Sequence, residues 1–289
     1  MKKQFLGIFL IVTISVFAQE SKEDFKPNGS AHFKVFWNYH ADFSENASKT
    51  SAFEIKRSYF GYNYNFSNEL SAKITFDIGS NDAGSAYTAY LKIAQLDWKI
   101  DPAVKLSMGL IGNKQFKEQE DNWGYRYLFK SFMDENKFGS SADLGINAEF
   151  KISDNLLANF LIFNGEGYKE VQDSDGNQRF GGSLVYMPIK GLTTKIYADS
   201  HATEDSDPIT NLVFSVGYDS DKFRLGAEYN QMKNGKSFSS AAEDHDLDGL
   251  SFYSTYIINS KVQFFARFDQ LSSNTLMGES EAWNIAKNG

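Results

Sequence analysis

Val104-Lys-Leu-Ser-Met-Gly-Leu110 and Ala142-Asp-Leu-Gly-Ile-Asn-Ala-Glu-Phe150 alternate apolar residues with small or polar ones. This period of two predicts two β-strands, each with one apolar face. The residues between them, 111–141, are rich in aromatic side chains and in charges of both signs. A connection of that length inside a compact domain is unusual and is normally functional. The pattern is typical of a membrane β-barrel with a long loop that folds into its interior.

The composition fits strands that have one apolar and one polar face. Aromatic residues make up 16% of the 289 residues, yet the mean hydropathy is −0.42. No stretch is continuously apolar over the ~20 residues that a membrane-spanning helix needs. The chain contains no cysteine, which excludes a small secreted scaffold held together by disulfides.

The N-terminus predicts an export signal. Lys2 and Lys3 precede the apolar run 5–17, and Val16-Phe-Ala18 indicates cleavage after Ala18. Residues 19–29 would then be a polar leader, and 30–289 would form the barrel. Removing residues 1–18 takes away two lysines and no acidic residue, so the net charge of −8 becomes −10. An acidic exported protein is a poor nucleic-acid ligand, and we expect no nucleic-acid partner.

The same alternation predicts thirteen strands along the chain. They cover residues 31–43, 53–66, 70–78, 87–100, 104–110, 142–150, 156–164, 179–186, 192–199, 212–218, 223–230, 250–257 and 262–270. The parity of the second strand changes near Ser58, which indicates a β-bulge. Short turns follow even-numbered strands and longer polar connections follow odd-numbered ones, as in outer-membrane barrels. The predicted fold class is all-β: a transmembrane, antiparallel, up-and-down β-barrel located in the cell outer membrane.

The predicted strand count is odd. Single-chain bacterial barrels have even counts, because an open sheet edge is not tolerated in lipid. With the N-terminus in the periplasm, residues 272–289 would be an extracellular loop, and no closing amphipathic strand follows. We therefore expect the chain to be truncated at its C-terminus.

Five motifs around the central stretch resemble the phosphate-selective porin O and P family. They are Gly109-Leu-Ile-Gly112, Trp123-Gly-Tyr-Arg-Tyr127, Lys130-Ser131, Phe138-Gly-Ser-Ser-Ala-Asp-Leu-Gly145 and Asn164-Gly-Glu-Gly-Tyr168. The resemblance extends over the chain after the signal. It implies a homotrimeric porin of about 16 strands, of which about three would be missing here. It also implies selection of phosphate or pyrophosphate by crowded arginine and lysine residues, although this sequence shows no dense arginine ladder.

The candidate pore-lining residues are the polar partners of the outward apolar set. On three strands a base lies four residues from an acid, nearer the periplasmic turn: Lys73 with Asp77, Lys195 with Asp199 and Arg224 with Glu228. Together with Lys105, these bases would form a basic belt in the lower lumen, beneath a more acidic mouth. Arg179 and Arg267 are further pore-lining candidates. The alternative is that lumen charges balance between neighbours without selecting ions.

Small residues also occupy inward positions, and we expect them to leave space for water. They are Gly109, Gly145, Gly181, Ser183 and Gly226.

The long loop is predicted to form a constriction in the pore. Its bases are Lys114, Lys117, Arg126 and Lys130, and its acids are Glu118, Glu120, Asp121, Asp134 and Glu135. Five aromatic residues favour a packed loop, because exposed rings gain nothing in water: Trp123, Tyr125, Tyr127, Phe129 and Phe132. If the loop lies outside instead, its charges form a solvated surface.

The sequence offers weak patterns for metal binding and for catalysis. Asp244-His-Asp-Leu-Asp-Gly249 matches the first half of a calcium loop, but position twelve is Thr255. Asp173-Ser-Asp-Gly-Asn177 matches less well, and both motifs fall in predicted extracellular loops. The four histidines show no spacing for a metal, and only His40 is a loose candidate for lipase chemistry. We predict no enzymatic activity, no metal site and no cofactor.

The sequence thus predicts an outer-membrane porin for passive diffusion of small hydrophilic solutes, with anions such as phosphate or pyrophosphate as candidates. Its partners would be these solutes and outer-membrane lipid. The alternative is a non-conducting barrel that displays acidic loops for adhesion or complex assembly. An uptake channel for apolar solutes fits less well, because residues 19–29 are too short and too polar for an N-terminal plug.

Overall fold

The computed structural model describes residues 25–41, 43, 51–79, 87–172, 174–203, 207–235, 245–273 and 280–283. The predicted export signal, residues 1–18, lies outside this part of the chain. The first strand begins at Asn28, so it includes the last two residues of the predicted leader.

Fourteen antiparallel strands form one sheet, in which every strand pairs with its neighbours in sequence. Their bounds are β1 (Asn28–Ala41), β2 (Ser51–Asn65), β3 (Leu70–Gly79), β4 (Thr88–Asp101), β5 (Val104–Gly112), β6 (Ala142–Ser153), β7 (Leu156–Phe163), β8 (Arg179–Tyr186), β9 (Leu192–His201), β10 (Ile209–Asp219), β11 (Phe223–Gly235), β12 (His245–Asn259), β13 (Val262–Ser273) and β14 (Ser280–Trp283). All thirteen predicted strands and the up-and-down topology are confirmed. Within the described ranges, no ladder joins β1 to β14.

The last strand, β14, was not predicted. It lies within residues 272–289, which were expected to form an extracellular loop, and it pairs from Asp269↔Trp283 to Ser272↔Ser280. A strand of 4 residues contains too few alternations for a period-two pattern to identify it.

Short and long connections alternate as predicted. The short ones, residues 66–69, 102–103, 154–155, 187–191, 220–222 and 260–261, follow even-numbered strands. Among those after odd-numbered strands, residues 113–141 are the inward loop and residues 164–178 are the second loop. The inward loop contains α1 (Lys117–Trp123) and α2 (Phe132–Glu135). No helix in the described residues is long and apolar enough to cross a membrane.

The predicted bulge in β2 is present near Ser58. Phe36 pairs with Arg57 and Trp37 pairs with Ile55, so Lys56 is the extra residue on β2. Its insertion changes the parity of the strand and explains why the apolar alternation shifts at this point.

The two faces of the sheet differ in chemistry. The inner face, defined as the face that contacts the inward loop, includes Lys195 and Asp199 of β9, both buried. The outer face carries exposed apolar side chains such as Phe214 and Phe252. An apolar outer band of this kind is typical of a barrel wall that meets lipid.

The sheet curls around the inward loop. The Arg126 guanidinium lies 5.9 Å from the ring centre of Phe36 on β1. The hydroxyl of Tyr125, the preceding residue, donates to Gln263 Oε1 on β13 at 2.7 Å. In a flat sheet, the twelve strand spacings between β1 and β13 would span about 58 Å. Two adjacent residues reach both strands only if the sheet is strongly curled, so the inner face is concave.

Replacing Phe214 with arginine tests the assignment of the outer face. We expect Phe214→Arg, midway along β10, to destabilise the protein in lipid vesicles. The free energy of unfolding should fall by about 2–4 kcal/mol. Tyr218→Arg, near the short turn at residues 220–222, is the depth control and should cost about 0–1 kcal/mol. Urea unfolding in vesicles measures both losses, and equal losses would contradict a lipid-facing β10.

Candidate functional site

The inward loop packs on the inner face through an apolar cluster. Its contributions are Phe116, Phe132, Met133 and Phe138, all buried. The remaining members of the cluster come from the strands: Ile111, Leu161, Phe163, Tyr197, Ile209, Val213, Met232, Leu247 and Leu271. Since loop and wall bury one continuous apolar surface, the loop is held against the sheet.

A second, aromatic cluster fixes the middle of the inward loop. Trp123 and Tyr125 are buried with Tyr253 of β12, and Phe129 packs against them. The Trp123 indole donates to the Phe129 carbonyl at 2.9 Å. Of the five aromatic residues expected to pack, Tyr127 is the exception, since it is 57% exposed. The loop is packed, as its aromatic content predicted.

Lys195 fastens the start of α1 to β9. Its ammonium group donates to the carbonyl oxygens of Lys114 at 2.6 Å and of Gln115 at 2.9 Å. It also forms an ion pair with Glu118, and the lysine side chain is completely buried. Burying an ammonium group is costly unless such partners satisfy it. Lys195 is therefore an anchor for the loop.

Arg267 of β13 holds the segment of the inward loop that connects α1 to α2. Its Nη1 donates to the Lys130 carbonyl at 2.6 Å, and its Nε donates to Asp269 Oδ1 at 2.8 Å. The guanidinium also lies 5.0 Å from the Trp123 ring centre and 5.2 Å from that of Phe129. These contacts combine charge-assisted hydrogen bonds with cation–π attraction.

Arg224 of β11 makes a looser contact with the same part of the loop. Its Nη1 lies 3.4 Å from the Trp123 carbonyl, and its guanidinium is 5.7 Å from the Tyr125 ring centre. Asp219 Oδ2 lies 3.7 Å from its Nε. Three of the predicted pore-lining bases therefore contact the loop: Lys195, Arg224 and Arg267.

The other predicted pore-lining bases do not hold the loop through contacts of this kind. Lys105 lies 3.5 Å from Glu149 Oε1, and Arg179 lies 4.0 Å from Asp199 Oδ2. The side chain of Lys73 is exposed and makes no hydrogen bond or ion pair with another described residue. Three members of the predicted belt, Lys105, Lys195 and Arg224, thus have carboxylate partners, which favours the alternative of locally balanced charge.

The basic residues of the loop also have acidic neighbours. Arg126 bridges the two helices, with Nε 3.5 Å from Glu120 and Nη2 3.0 Å from Asp134. Burial raises the pKa of Glu120, and the attraction of Arg126 opposes that shift. The remaining ion pairs are Lys114 with Glu149, Lys117 with Asp121 and Lys130 with Glu135.

Glycines on the inner face allow side chains of the loop to approach the sheet closely. A Cβ atom at Gly249 of β12 would collide with the Phe132 ring. At Gly217 of β10 it would collide with the Asn122 side chain, and at Gly226 of β11 with the Tyr253 ring and with Asn122. The expectation that small inward residues leave space for water is therefore wrong at Gly226, because Tyr253 of β12 and Asn122 of the loop fill that space.

The first calcium-like motif does not lie in a loop, so that expectation is wrong. Its residues from His245 onward belong to β12. Asp246 accepts a hydrogen bond from Lys233 at 3.1 Å, and Asp248 accepts one from the Tyr229 hydroxyl at 2.8 Å. The described residues contain no group of three or more potential metal ligands. Asp173, in the second motif, lies outside them.

The sequence did not predict a polar cluster that joins β2, β3 and β4 to the second loop. Arg57 of β2 lies 3.1 Å from Asp77 of β3, and the Tyr168 hydroxyl of the second loop donates to the same carboxylate. Lys92 of β4 lies 5.1 Å from the Tyr168 ring centre. Lys92 is the extra residue of a bulge, since Thr75 pairs with Ile93 and Phe76 with Leu91. At a bulge the period of two is broken, so the sequence pattern does not predict on which face of the sheet a side chain lies.

No protein-family model and no curated protein matches the chain. Several solved structures share its fold. An anion-selective porin from Comamonas acidovorans has a TM-score of 0.61 at 12% identity, over 89% of this chain and 82% of that one. The outer membrane channel DcaP of Acinetobacter baumannii has a TM-score of 0.61 at 9% identity, over 88% and 81%.

A loop-deletion mutant of OmpT, an outer membrane protein of Vibrio cholerae, gives a TM-score of 0.56 at 16% identity, over 88% of this chain and 85% of that one. At these identities the likeness shows the fold alone. It agrees with the predicted outer-membrane type of β-barrel.

Replacing Lys195 tests its role as an anchor. Lys195→Gln leaves the carbonyls of Lys114 and Gln115 without their charged donor. We therefore expect the free energy of local opening of the loop to fall by about 1.4 kcal/mol. Backbone amides of residues 114–123 should then exchange hydrogen about tenfold faster. Mass spectrometry of exchange measures this, with Lys190→Gln in the short turn between β8 and β9 as the control. Unchanged exchange in Lys195→Gln would contradict the anchor.

Proposed function

We propose that this protein is an outer-membrane porin through which small hydrophilic solutes diffuse passively. The observation that carries the proposal is the inward loop, which lies inside the curl of the sheet and is fastened to its concave face. A loop in that position would narrow the pore and set the size of solute that passes. The apolar outer face supports a location in lipid, and export would follow from the predicted signal.

Anions such as phosphate are candidate solutes within this proposal. Among the predicted selectivity residues, Lys73 has no ion-pair partner in the described chain, and the buried Arg179 Nε makes no hydrogen bond there. Lys195, Arg224 and Arg267 would instead influence solutes through the position of the loop. One structural neighbour is named as an anion-selective porin, which is consistent with this choice.

We also propose a homotrimer, as the resemblance to phosphate-selective porins implies. The surface that would suit a second copy is formed by β1 and β2, where Trp37 and Phe53 stack with ring centres 5.7 Å apart. Both are strongly exposed in the single chain. Native mass spectrometry of the detergent-solubilised protein tests this, and a purely monomeric spectrum would refute it.

Bilayer recording tests the channel function directly. Full-length protein in a planar bilayer should conduct in KCl, and a KCl gradient should give a reversal potential on the anion-selective side. Added phosphate should reduce the current if it occupies the pore. Conduction without anion preference would refute the anion proposal alone. Correctly folded protein that does not conduct would refute the porin and support a non-conducting display barrel.

Replacing Gly249 with valine tests whether the loop narrows the pore. Gly249→Val would push Phe132 away from β12, and a β-branched residue is otherwise well suited to a strand. We expect a larger single-channel conductance, because the displaced loop no longer narrows the pore. Gly112→Val is the matched control, since a Cβ there meets only Ile93 at 3.9 Å. An unchanged conductance in folded Gly249→Val would contradict the constriction.

A further inference from the structure

The second loop, residues 164–178, borders the same interior space as the inward loop. A Cβ atom at Gly167 would collide with Ser140 of the inward loop, and one at Gly165 would collide with the buried His201 ring of β9. A cavity of about 340 Å³ lies between the two loops, and its other walls come from β2 and from β8 to β11. The second loop therefore lies inside the curl of the sheet.

The start of the second loop is fixed to β6. The Tyr168 amide donates to the Ala142 carbonyl at 3.1 Å. The Gly165 amide donates to Asp143 Oδ2, also at 3.1 Å. Gly165 and Gly167 have φ angles of 120° and 89°, which glycine adopts without strain. Residues 164–167 therefore form a rigid root on this side of the barrel.

The side chain of Tyr168 reaches from this root to β3. Its hydroxyl donates to the Asp77 carboxylate, and its ring meets Tyr90 of β4 edge-on, with ring centres 6.5 Å apart. In a flat sheet, the three strand spacings between β3 and β6 would span about 14 Å. One residue bridges them because the sheet is curled. Burial and the hydrogen bond to Asp77 raise the pKa of Tyr168, so the hydroxyl keeps its proton and remains a donor.

The contact between Tyr168 and Asp77 can open without leaving a buried charge unpaired. Asp77 Oδ1 also lies 3.1 Å from Arg57 Nε, so the carboxylate keeps a charged partner when the tyrosine leaves. An unpaired buried carboxylate would otherwise oppose opening. Beyond Tyr168, Lys169 is exposed and Val171 is 89% exposed. Opening therefore gives up one charge-assisted hydrogen bond and the neighbouring ring contacts.

We propose that Tyr168 is a latch, a side chain that fastens the second loop to β3 and so makes this loop a second wall of the constriction. When the latch opens, residues 168–172 move away from β3 and β4 while the root stays bound to β6, and the pore becomes wider. The proposal rests on the proposed porin function and adds a positioning residue to it, since Tyr168 acts through the loop.

Tryptic cleavage after Lys169 tests the latch without requiring conduction. A protease cuts a segment in its open state, so the rate of cleavage follows the population of that state when opening and closing are fast. Tyr168→Phe removes the hydroxyl and keeps the ring. Because a charge-assisted hydrogen bond is lost, we expect cleavage of the folded full-length protein in detergent to become at least about tenfold faster. Mass spectrometry identifies the fragments, and an unchanged rate would overturn the proposal.

Single-channel recording tests the effect of the latch on the pore. The wild type should show a main conductance with rare steps to a higher level. Tyr168→Phe should raise the time spent at the higher level, relative to the main one, at least about tenfold. Tyr186→Phe is the matched control, since it removes a hydroxyl from an exposed tyrosine of β8. An equal effect of both variants, on cleavage or on conductance, would overturn the proposal.

A covalent link between the second loop and β4 should replace the latch. The Lys169 ammonium lies 5.1 Å from the Tyr90 ring centre, and the native chain contains no cysteine. In the Tyr168→Phe background, Tyr90→Cys with Lys169→Cys should be joined by a short bifunctional maleimide. We expect the cross-linked protein to return to the main conductance. A cross-linked protein that still reaches the higher level would contradict a pore wall formed by the second loop.

The outcomes also separate this proposal from the porin function. A wild-type protein that conducts, together with a Tyr168→Phe variant of unchanged conductance and cleavage, refutes the latch alone. Folded wild-type protein that does not conduct refutes the porin, and faster cleavage of Tyr168→Phe in that protein still supports the latch.

Discussion

The contact between the inward loop and the concave face is the constraint on which the rest of the structure depends. A long polar loop loses conformational entropy when it is ordered, so it needs compensating burial. The apolar cluster beneath the inward loop supplies that burial, and the Lys195 ammonium satisfies two carbonyls just before α1. The curl of the sheet brings both β1 and β13 within reach of adjacent loop residues.

This packing changes the role of the basic residues inside the barrel. A lumen lysine in an open pore meets water and ions, whereas Lys195 meets carbonyl oxygens and Glu118. Arg267 likewise binds Asp269 and the Lys130 carbonyl. Under the proposed porin function, these bases would act on a solute through the position of the loop. Lys137 and Lys169, which form no ion pair among the described residues, lie on the inward loop and on the second loop.

Much of the fold could be predicted from the sequence, because a strand with one face in lipid and one on the interior alternates with a period of two. The inward loop was recognisable from its length and its aromatic residues. Alternation does not predict which partner a charged side chain finds, so the anchoring role of Lys195 was missed. It also fails at bulges such as Lys92, and it gave no reason to expect that Tyr253 and the loop residue Asn122 fill the space at Gly226.

The most direct test of the account is paired-cysteine cross-linking between the loop and both ends of the sheet. The native chain contains no cysteine, so each engineered pair reacts without background. Tyr125→Cys with Gln263→Cys, and separately Arg126→Cys with Phe36→Cys, should be joined by a short bifunctional maleimide in folded protein. Cross-linking of both pairs is the predicted result. Folded protein in which neither pair reacts would place the loop outside the barrel and contradict the account.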